Sequence, residues 1–286
     1  MSENAHPRAD AMDALTTGEL LALMQSEDLL AIESVQPALD RIAEAIDDIS
    51  IRLRSGGRLH YFGAGTSGRL AALDAAECPS TFGVPPELVQ AHAAGDGEAE
   101  DDDRMGAEDA RQARLGAGDA VVGISASGRT AYVLAAVGAA RRAGALVIGL
   151  TCAPGSPLAG AADIAIEVDA GPEVIAGSTR LKAGTAQKVM LNMISTGVFA
   201  RLGHTYRGRM VGVIPSNTKL RGRASRMVRE LTDRTPDEVD AALHDTGGNA
   251  KVAILMLRCG MDAPSARTKL SAAGGDLAVA LGEKAP

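Results

Sequence analysis

Aromatic residues are almost missing from this chain. Tryptophan is absent, phenylalanine and tyrosine occur three times each, and the three types make up 2 % of 286 residues. Any core must therefore be packed from Ala, Val, Leu, Ile and Met, which suits helices lying close on a parallel sheet. Hydrophobic residues reach 46 %, enough for such a core, and the length fits about two domains. Cysteine is scarce, odd in number and scattered (Cys78, Cys152, Cys259), which excludes a disulfide framework and cysteine metal-ligand spacing and fits a reducing compartment. No apolar run is long enough to cross a membrane, since Arg141 and Arg142 interrupt the longest candidate, 131–150. The first fourteen residues lack the basic-then-apolar pattern of a signal peptide. Positive charge is also short: 29 Lys and Arg against 36 Asp and Glu leave a net charge of -7. That balance repels a phosphate backbone, and the N-terminal helices carry too few cations for a DNA-binding helix-turn-helix. The expectation is a cytoplasmic protein with neither nucleic acid nor membrane as partner.

What the chain does contain is a rhythm. Apolar residues recur at helical spacing over 17–54, as two helices that stop at Gly56-Gly57. Strands are then predicted over 58–62, 88–93, 120–124, 145–150 and 163–168. Helices are predicted between them over 69–77, 98–115 and 130–143, and after them over 181–202. Alternating strands and helices imply an α/β fold with a parallel sheet covered on both faces. Beyond a helix at 220–231 the strand pattern stops, and three short helices follow, at 237–242, 249–257 and 264–271. The predicted organisation is N-terminal helices over 1–55, a sheet domain over 56–232 and a small helical unit over 233–286.

Three strand-to-helix junctions carry hydroxyls. The first, Gly63 to Gly68, is formally G-x-G-x-x-G, a dinucleotide fingerprint, with Gly65, Thr66 and Ser67 at its centre. The acidic residue that would hold a ribose is missing from the next strand; Asp96 lies past it, so a nicotinamide cofactor is not expected. The second, Ser125-Ala126-Ser127-Gly128-Arg129-Thr130, places three hydroxyls around a glycine. Capping one helix takes one hydroxyl, so Ser125, Ser127 and Thr130 read as an anion cradle, with Gly128 allowing close backbone approach. The third, Ser178-Thr179-Arg180-Leu181-Lys182, puts hydroxyls and cations at a helix start, where a capped helix with surface charges is the alternative.

These stretches resemble the sugar isomerase (SIS) domain family, whose phosphate loop reads S-x-S-G-x-T. By that resemblance Ser125, Ser127 and Thr130 hold a phosphate, helped by the Gly128 N–H. A narrower resemblance is to the N-acetylmuramic acid 6-phosphate etherases. It rests on 63–70, on Leu73-Asp74-Ala75-Ala76-Glu77-Cys78-Pro79, on Gly106-Ala107-Glu108-Asp109, on 178–188 and on 192–197, and it spans nearly the whole chain. Ser80 departs from the pattern, standing where that family usually has a second proline. The resemblance implies a three-layer SIS fold and a phosphosugar substrate. It also implies a homodimer with its site at or near the subunit interface, with Gly65, Thr66, Ser67, Ser178, Thr179 and Lys182 adding substrate contacts. No cofactor and no metal are expected.

It also gives two glutamates roles. Glu77 is expected at the C-terminal end of its helix, stopped by Pro79, where the macrodipole favours the protonated form that a general acid needs. Glu108 reads from sequence alone as one carboxylate of an acidic helix. The resemblance makes it the base for the C2 proton of a ring-opened sugar, with Glu77 protonating the departing lactyl oxygen and then activating water. Two other readings stay open: a phosphosugar isomerase, and a regulatory SIS protein that binds a phosphosugar without turning it over. His60, His92 and His204, in or beside apolar segments, read as structural.

Overall fold

A computed structural model describes residues 4–95, 97–213 and 218–283; Asp96 lies outside them. Two compact units make up the chain, Met1–Ala76 with Glu87–Gly197 and Glu77–Pro86 with Val198–Pro286.

The first unit opens with α1 (Thr17–Glu33) and α2 (Leu39–Arg54). Thr16 and Glu19 close a capping box at the start of α1, each bonding the other's backbone N–H. On α2, Ile42, Ala45, Ile49 and Leu53 form the buried stripe. Five parallel strands follow: β1 (Leu59–Ala64), β2 (Val89–Ala94), β3 (Ala120–Ser125), β4 (Leu146–Thr151) and β5 (Ile164–Glu167), in the order β2-β1-β3-β4-β5. Every residue of β1, β3 and β4 is buried. This is the reason for their nearly unbroken apolar sequences: a parallel strand covered on both faces has no polar side. The helices α3 (Gly65–Phe82), α4 (Asp103–Gln112), α5 (Ala131–Arg142), α6 (Pro157–Ala161) and α7 (Lys182–Arg201) connect or follow the strands. The expected α/β fold with a parallel sheet is the observed one.

Two helix boundaries differ from expectation for steric reasons. The sequence places the first sheet-domain helix at 69–77, but α3 begins at Gly65, directly after β1. A Cβ on Gly63 would lie 2.8 Å from the Gly68 nitrogen, and one on Gly68 would lie 2.8 Å from the Gly63 oxygen. The two glycines thus let the strand end and the first helical turn touch, so the fingerprint glycines serve packing. Pro79 was expected to stop α3, yet the helix runs on to Phe82 with Pro79 inside it. Glu77 therefore does not sit in the last turn, and the macrodipole argument for its protonation does not hold there. Ser80, where the resemblance expects a second proline, keeps its N–H and donates its hydroxyl to the Glu77 carbonyl at 3.2 Å. The acidic stretch 98–115 likewise splits into a 3-10 turn and α4, because the Asp102 side chain accepts the Met105 N–H and starts a new helix.

Motif residues anchor these helices. Asp74, 4 % exposed on α3, accepts the Tyr61 hydroxyl of β1 and the Ser195 hydroxyl of α7, each at 3.0 Å. Gly106 of α4 lies against α5 so closely that a Cβ would fall 2.0 Å from the Tyr132 carbonyl oxygen, and Asp109 accepts the Tyr132 hydroxyl at 2.7 Å. In the second unit α8 (Thr218–Thr232), α9 (Pro236–Asp245), α10 (Ala250–Cys259), α11 (Ala263–Ala272) and α12 (Leu277–Ala280) share one core built on Val228, Val239, Ile254, Leu255 and Ala266.

His60 is fully buried near Arg58 and His92, which oppose a positive charge more than Asp119 favours it. Its Nδ1 faces His92 Nε2 at 3.1 Å, and its own Nε2 has no hydrogen-bond partner among the described residues. Burial first, then Arg58 and His92, push its pKa down to about 4. The unfolded chain takes up this proton near pH 6.5, whereas the folded chain does not until about pH 4. Stability is therefore expected to fall as pH drops through that window, by up to about 3 kcal/mol from this group. Urea unfolding between pH 7 and pH 4 should show the loss, and His60→Gln should flatten it. An unchanged profile in the variant would assign the loss to other groups.

Candidate functional site

The strand order places the site. From β1 the chain moves outward to β2, while from β3 it moves the opposite way to β4. Right-handed crossovers then put α3 and α5 on opposite faces, and a crevice opens at the carboxyl ends of β1 and β3. The register sets Gly63 beside Ile124 and Ser125 beside Thr151, so the junction at Gly65–Ser67 and the loop at 125–130 begin side by side.

The 125–130 loop folds its hydroxyls onto one another. Ser125 Oγ lies 2.8 Å from Thr130 Oγ1 and 3.4 Å from Ser127 Oγ, and accepts the Gly128 N–H at 3.0 Å. Ser127 Oγ, exposed, accepts the Arg129 N–H at 3.2 Å. Gly128 has φ +64°, and a Cβ there would meet Ser156 Oγ at 2.1 Å and Thr151 Oγ1 at 2.8 Å. Only glycine fits that position. Thr130 holds the N-cap position of α5, yet its side chain makes no capping bond. The capping alternative therefore fails for this hydroxyl. The first N–H groups of α5 keep their partial positive charge, with three hydroxyls beside them, which is the arrangement that receives an anion.

The other two junctions are differently occupied. Gly65, with φ +52°, turns the chain into α3, and Thr66 is half-buried. Ser67 is 7 % exposed and donates its hydroxyl to Gln187 Oε1 of α7 at 3.0 Å. At α7 the helix start is closed by Glu173, 1 % exposed, whose carboxylate accepts the Lys182 N–H at 2.8 Å and the Ala183 N–H at 3.0 Å. The Lys182 ammonium points elsewhere and is 2.5 Å from Glu27 on α1. Ser178 and Thr179 are half-buried ahead of that helix. The structure thus joins Ser125, Ser127, Gly128 and Thr130 in one cradle and sets Gly65–Ser67 beside it, while Lys182 belongs to an ion pair.

Both motif glutamates turn outward on helices whose other motif residues turn inward. On α3, Asp74, Ala75 and Cys78 are buried, while Leu73 and Glu77 are exposed. On α4, Gly106 and Ala110 face α5, while Glu108 is half-exposed. Its carboxylate accepts two bonds from Arg111, at 2.7 and 2.5 Å, and one from Gln112 at 2.8 Å. Those partners, Arg111 first, hold its pKa down to about 2. Glu108 also lines a groove with Ala139, Arg142 and Ala143, at the end of α5 opposite the cradle. Within one chain, then, Glu108 is paired and set away from the 125–130 loop.

Sequence reasoning missed Glu173 and Gln187. Gln187 lies inside the matched stretch 178–188 but carried no role there. Nothing local marks Glu173 as a cap, because the helix it closes starts nine residues later.

The SIS domain family model matches residues 105–196, which include the cradle. Among solved structures, an E. coli CFT073 protein in complex with A5P covers 68 % of this chain and 97 % of its own at 21 % identity, with a TM-score of 0.51. A phosphoheptose isomerase from Neisseria gonorrhoeae covers 65 % of this chain and 100 % of its own at 23 % identity, also with a TM-score of 0.51. These likenesses fix the fold. Curated relatives reach further. The N-acetylmuramic acid 6-phosphate etherase of Rubrobacter xylanophilus is 50 % identical over 99 % of this chain and 96 % of its own. Those of Mesorhizobium japonicum and Enterobacter sp. are 44 % and 45 % identical at similar coverage. At that identity over nearly its whole length, the chain belongs to the N-acetylmuramic acid 6-phosphate etherase family.

Proposed function

We propose that this chain cleaves the lactyl ether of N-acetylmuramic acid 6-phosphate, releasing D-lactate and N-acetylglucosamine 6-phosphate for the recycling of cell-wall sugar. The observation that carries the reading is the cradle: three hydroxyls gathered at an uncapped helix start, at the crevice between β1 and β3. The relatives' shared name supplies the sugar that such a phosphate would carry.

An ether at C3 is inert until the ring opens. Opening exposes an aldehyde at C1, and the C2 proton becomes acidic. A base removes it, an acid protonates the lactyl oxygen as the C3–O bond breaks, and water adds to the resulting α,β-unsaturated aldehyde. Glu77 is the proposed acid and then the base toward water; its outward position on α3 supports this, because the inward motif residues do the anchoring. Glu108 is the proposed C2 base. With a pKa near 2 while Arg111 holds it, it becomes an effective base only when the arrival of the sugar opens that pair. Ser125, Ser127 and Thr130 bind the phosphate, joined by the Gly128 N–H as the anion displaces its bond to Ser125 Oγ, with Gly65, Thr66, Ser67, Ser178 and Thr179 toward the rest of the sugar. Lys182 serves through its pair with Glu27, holding α7 to α1. An isomerase would share the ring opening and C2 step but has no use for an acid at C3. A phosphosugar sensor would use the cradle alone.

Purified protein should release D-lactate from the phosphosugar and, in ¹⁸O water, place the label on the sugar. Glu77→Gln should abolish release and retain binding. Ser127→Ala should weaken binding by roughly tenfold, about 1.4 kcal/mol, because the hydroxyl holds phosphate in ground and transition states alike. Binding without lactate release in the unmodified protein would favour the sensor, and full turnover by Glu77→Gln would remove that residue from the chemistry.

The same reading makes the protein a homodimer that works in the cytoplasm. Leu21, Leu29, Leu30 and Ile32 are each about half-exposed, a dense apolar display for the one helix α1, and this supports pairing there. Light scattering should give twice 29.2 kDa for the protein and 29.2 kDa for Leu29→Asp/Ile32→Asp. A monomer from the start would contradict the pairing.

A further inference from the structure

The second unit has a cavity of its own, about 380 Å³, lined among others by His204, Val211, Val213, Asn249, Lys251 and Leu270. Its most unusual occupant is Lys251. This side chain is buried, 9 % exposed, in the first turn of α10. A buried ammonium is normally matched by a carboxylate. Here the hydrogen-bond acceptor, among the described residues, is the Gly275 carbonyl at 2.7 Å, which leaves the positive charge unneutralised by contact. Burial pushes the Lys251 pKa down to about 8, and Asp276 only partly opposes this.

His204 lines the same cavity. Its Nδ1 donates to the Phe82 carbonyl at 2.7 Å, so Nε2 is the nitrogen left to titrate. The ring is fixed edge-on against Phe199, which itself stacks on Phe82. Its pKa is lowered by burial and then by the Lys251 charge. An ammonium and an imidazole whose protonation it disfavours thus line one space. A negative charge placed between them would relieve both at once. The α10 start adds to the same field: Asn249 takes up the Val252 N–H, while the N–H groups of Ala250 and Lys251 precede it in the first turn. Gly212 lets the chain pass against Phe82, since a Cβ there would fall 2.3 Å from its carbonyl oxygen. That contact keeps the Val211 and Val213 wall beside the histidine.

We propose that this cavity is a binding site for a small organic anion, a carboxylate or phosphate monoester, held by the Lys251 ammonium and His204 Nε2 with its apolar part against Val211, Val213 and Leu270. The site is built from residues of the second unit alone and does not depend on the etherase reading. It gives His204 a role beyond the structural one that its sequence context suggests.

The test is titration of the full-length protein with D-lactate, with inorganic phosphate and with neutral lactamide, by calorimetry and by following the His204 ring in heteronuclear NMR. At least one anion should bind saturably and shift the His204 resonances toward the protonated form, while lactamide should do neither; which anion does so identifies the charge the site takes. Lys251→Met should weaken that binding by roughly tenfold or more. Ser125→Ala should leave it intact. No saturable shift at His204 with either anion, or a shift that Ser125→Ala abolishes, would overturn the proposal. The NMR readout on the unmodified protein decides the matter even if Lys251→Met does not fold.

Discussion

The structure depends on one arrangement above others: the parallel register that ends β1 and β3 side by side while the chain departs from them in opposite directions. With Gly63 level with Ile124, two helix starts open onto one crevice. Everything proposed for phosphate recognition follows from that geometry. Helix starts carry unpaired N–H groups and partial positive charge wherever they occur. What distinguishes the start of α5 is that the residue placed to cap it turns its hydroxyl toward Ser125 instead. At α7 the same need is met internally by Glu173, so that helix start is closed.

The division of labour within the motifs has a physical logic. Residues that hold helices in place are small or buried and satisfied: Gly106 against the Tyr132 carbonyl, Asp109 on the Tyr132 hydroxyl, Asp74 between Tyr61 and Ser195. A buried carboxylate with two hydroxyl donors is costly to alter, since removing it strands both donors at about 1–3 kcal/mol each. Glu77 and Glu108 lie on the outward sides of the same helices, Glu77 exposed on α3 and Glu108 bonded to Arg111 and Gln112 of its own helix. The scaffold residues aim the helices that carry the two outward glutamates.

Much of this was legible in the sequence, and the exceptions have causes. The strands are visible because a fully buried parallel strand must be apolar on both faces, and β1, β3 and β4 fall within one or two residues of their expected bounds. The 125–130 cradle is visible because three hydroxyls exceed what one cap requires. The start of α3 was hidden because Gly63 and Gly68 suit a loop and a tight strand–helix junction equally well; only their mutual distance decides. The end of α3 was hidden because Pro79 within a helix is an exception that surrounding structure has to sustain. The fate of Lys182 was invisible for another reason. Its partner, Glu27, lies 155 residues away, and no local pattern reports a contact of that span. The tie from Glu108 to Arg111 and Gln112, by contrast, has the i+3 and i+4 spacing that sequence can show.

The central claim is that anions enter at the uncapped start of α5 and not at the closed start of α7. Backbone amide NMR of the protein titrated with inorganic phosphate measures this directly. The account predicts saturable shifts at Gly128, Ala131, Tyr132 and Val133, with Lys182 and Ala183 unmoved. Shifts at Lys182 and Ala183 with a silent α5 start would contradict it.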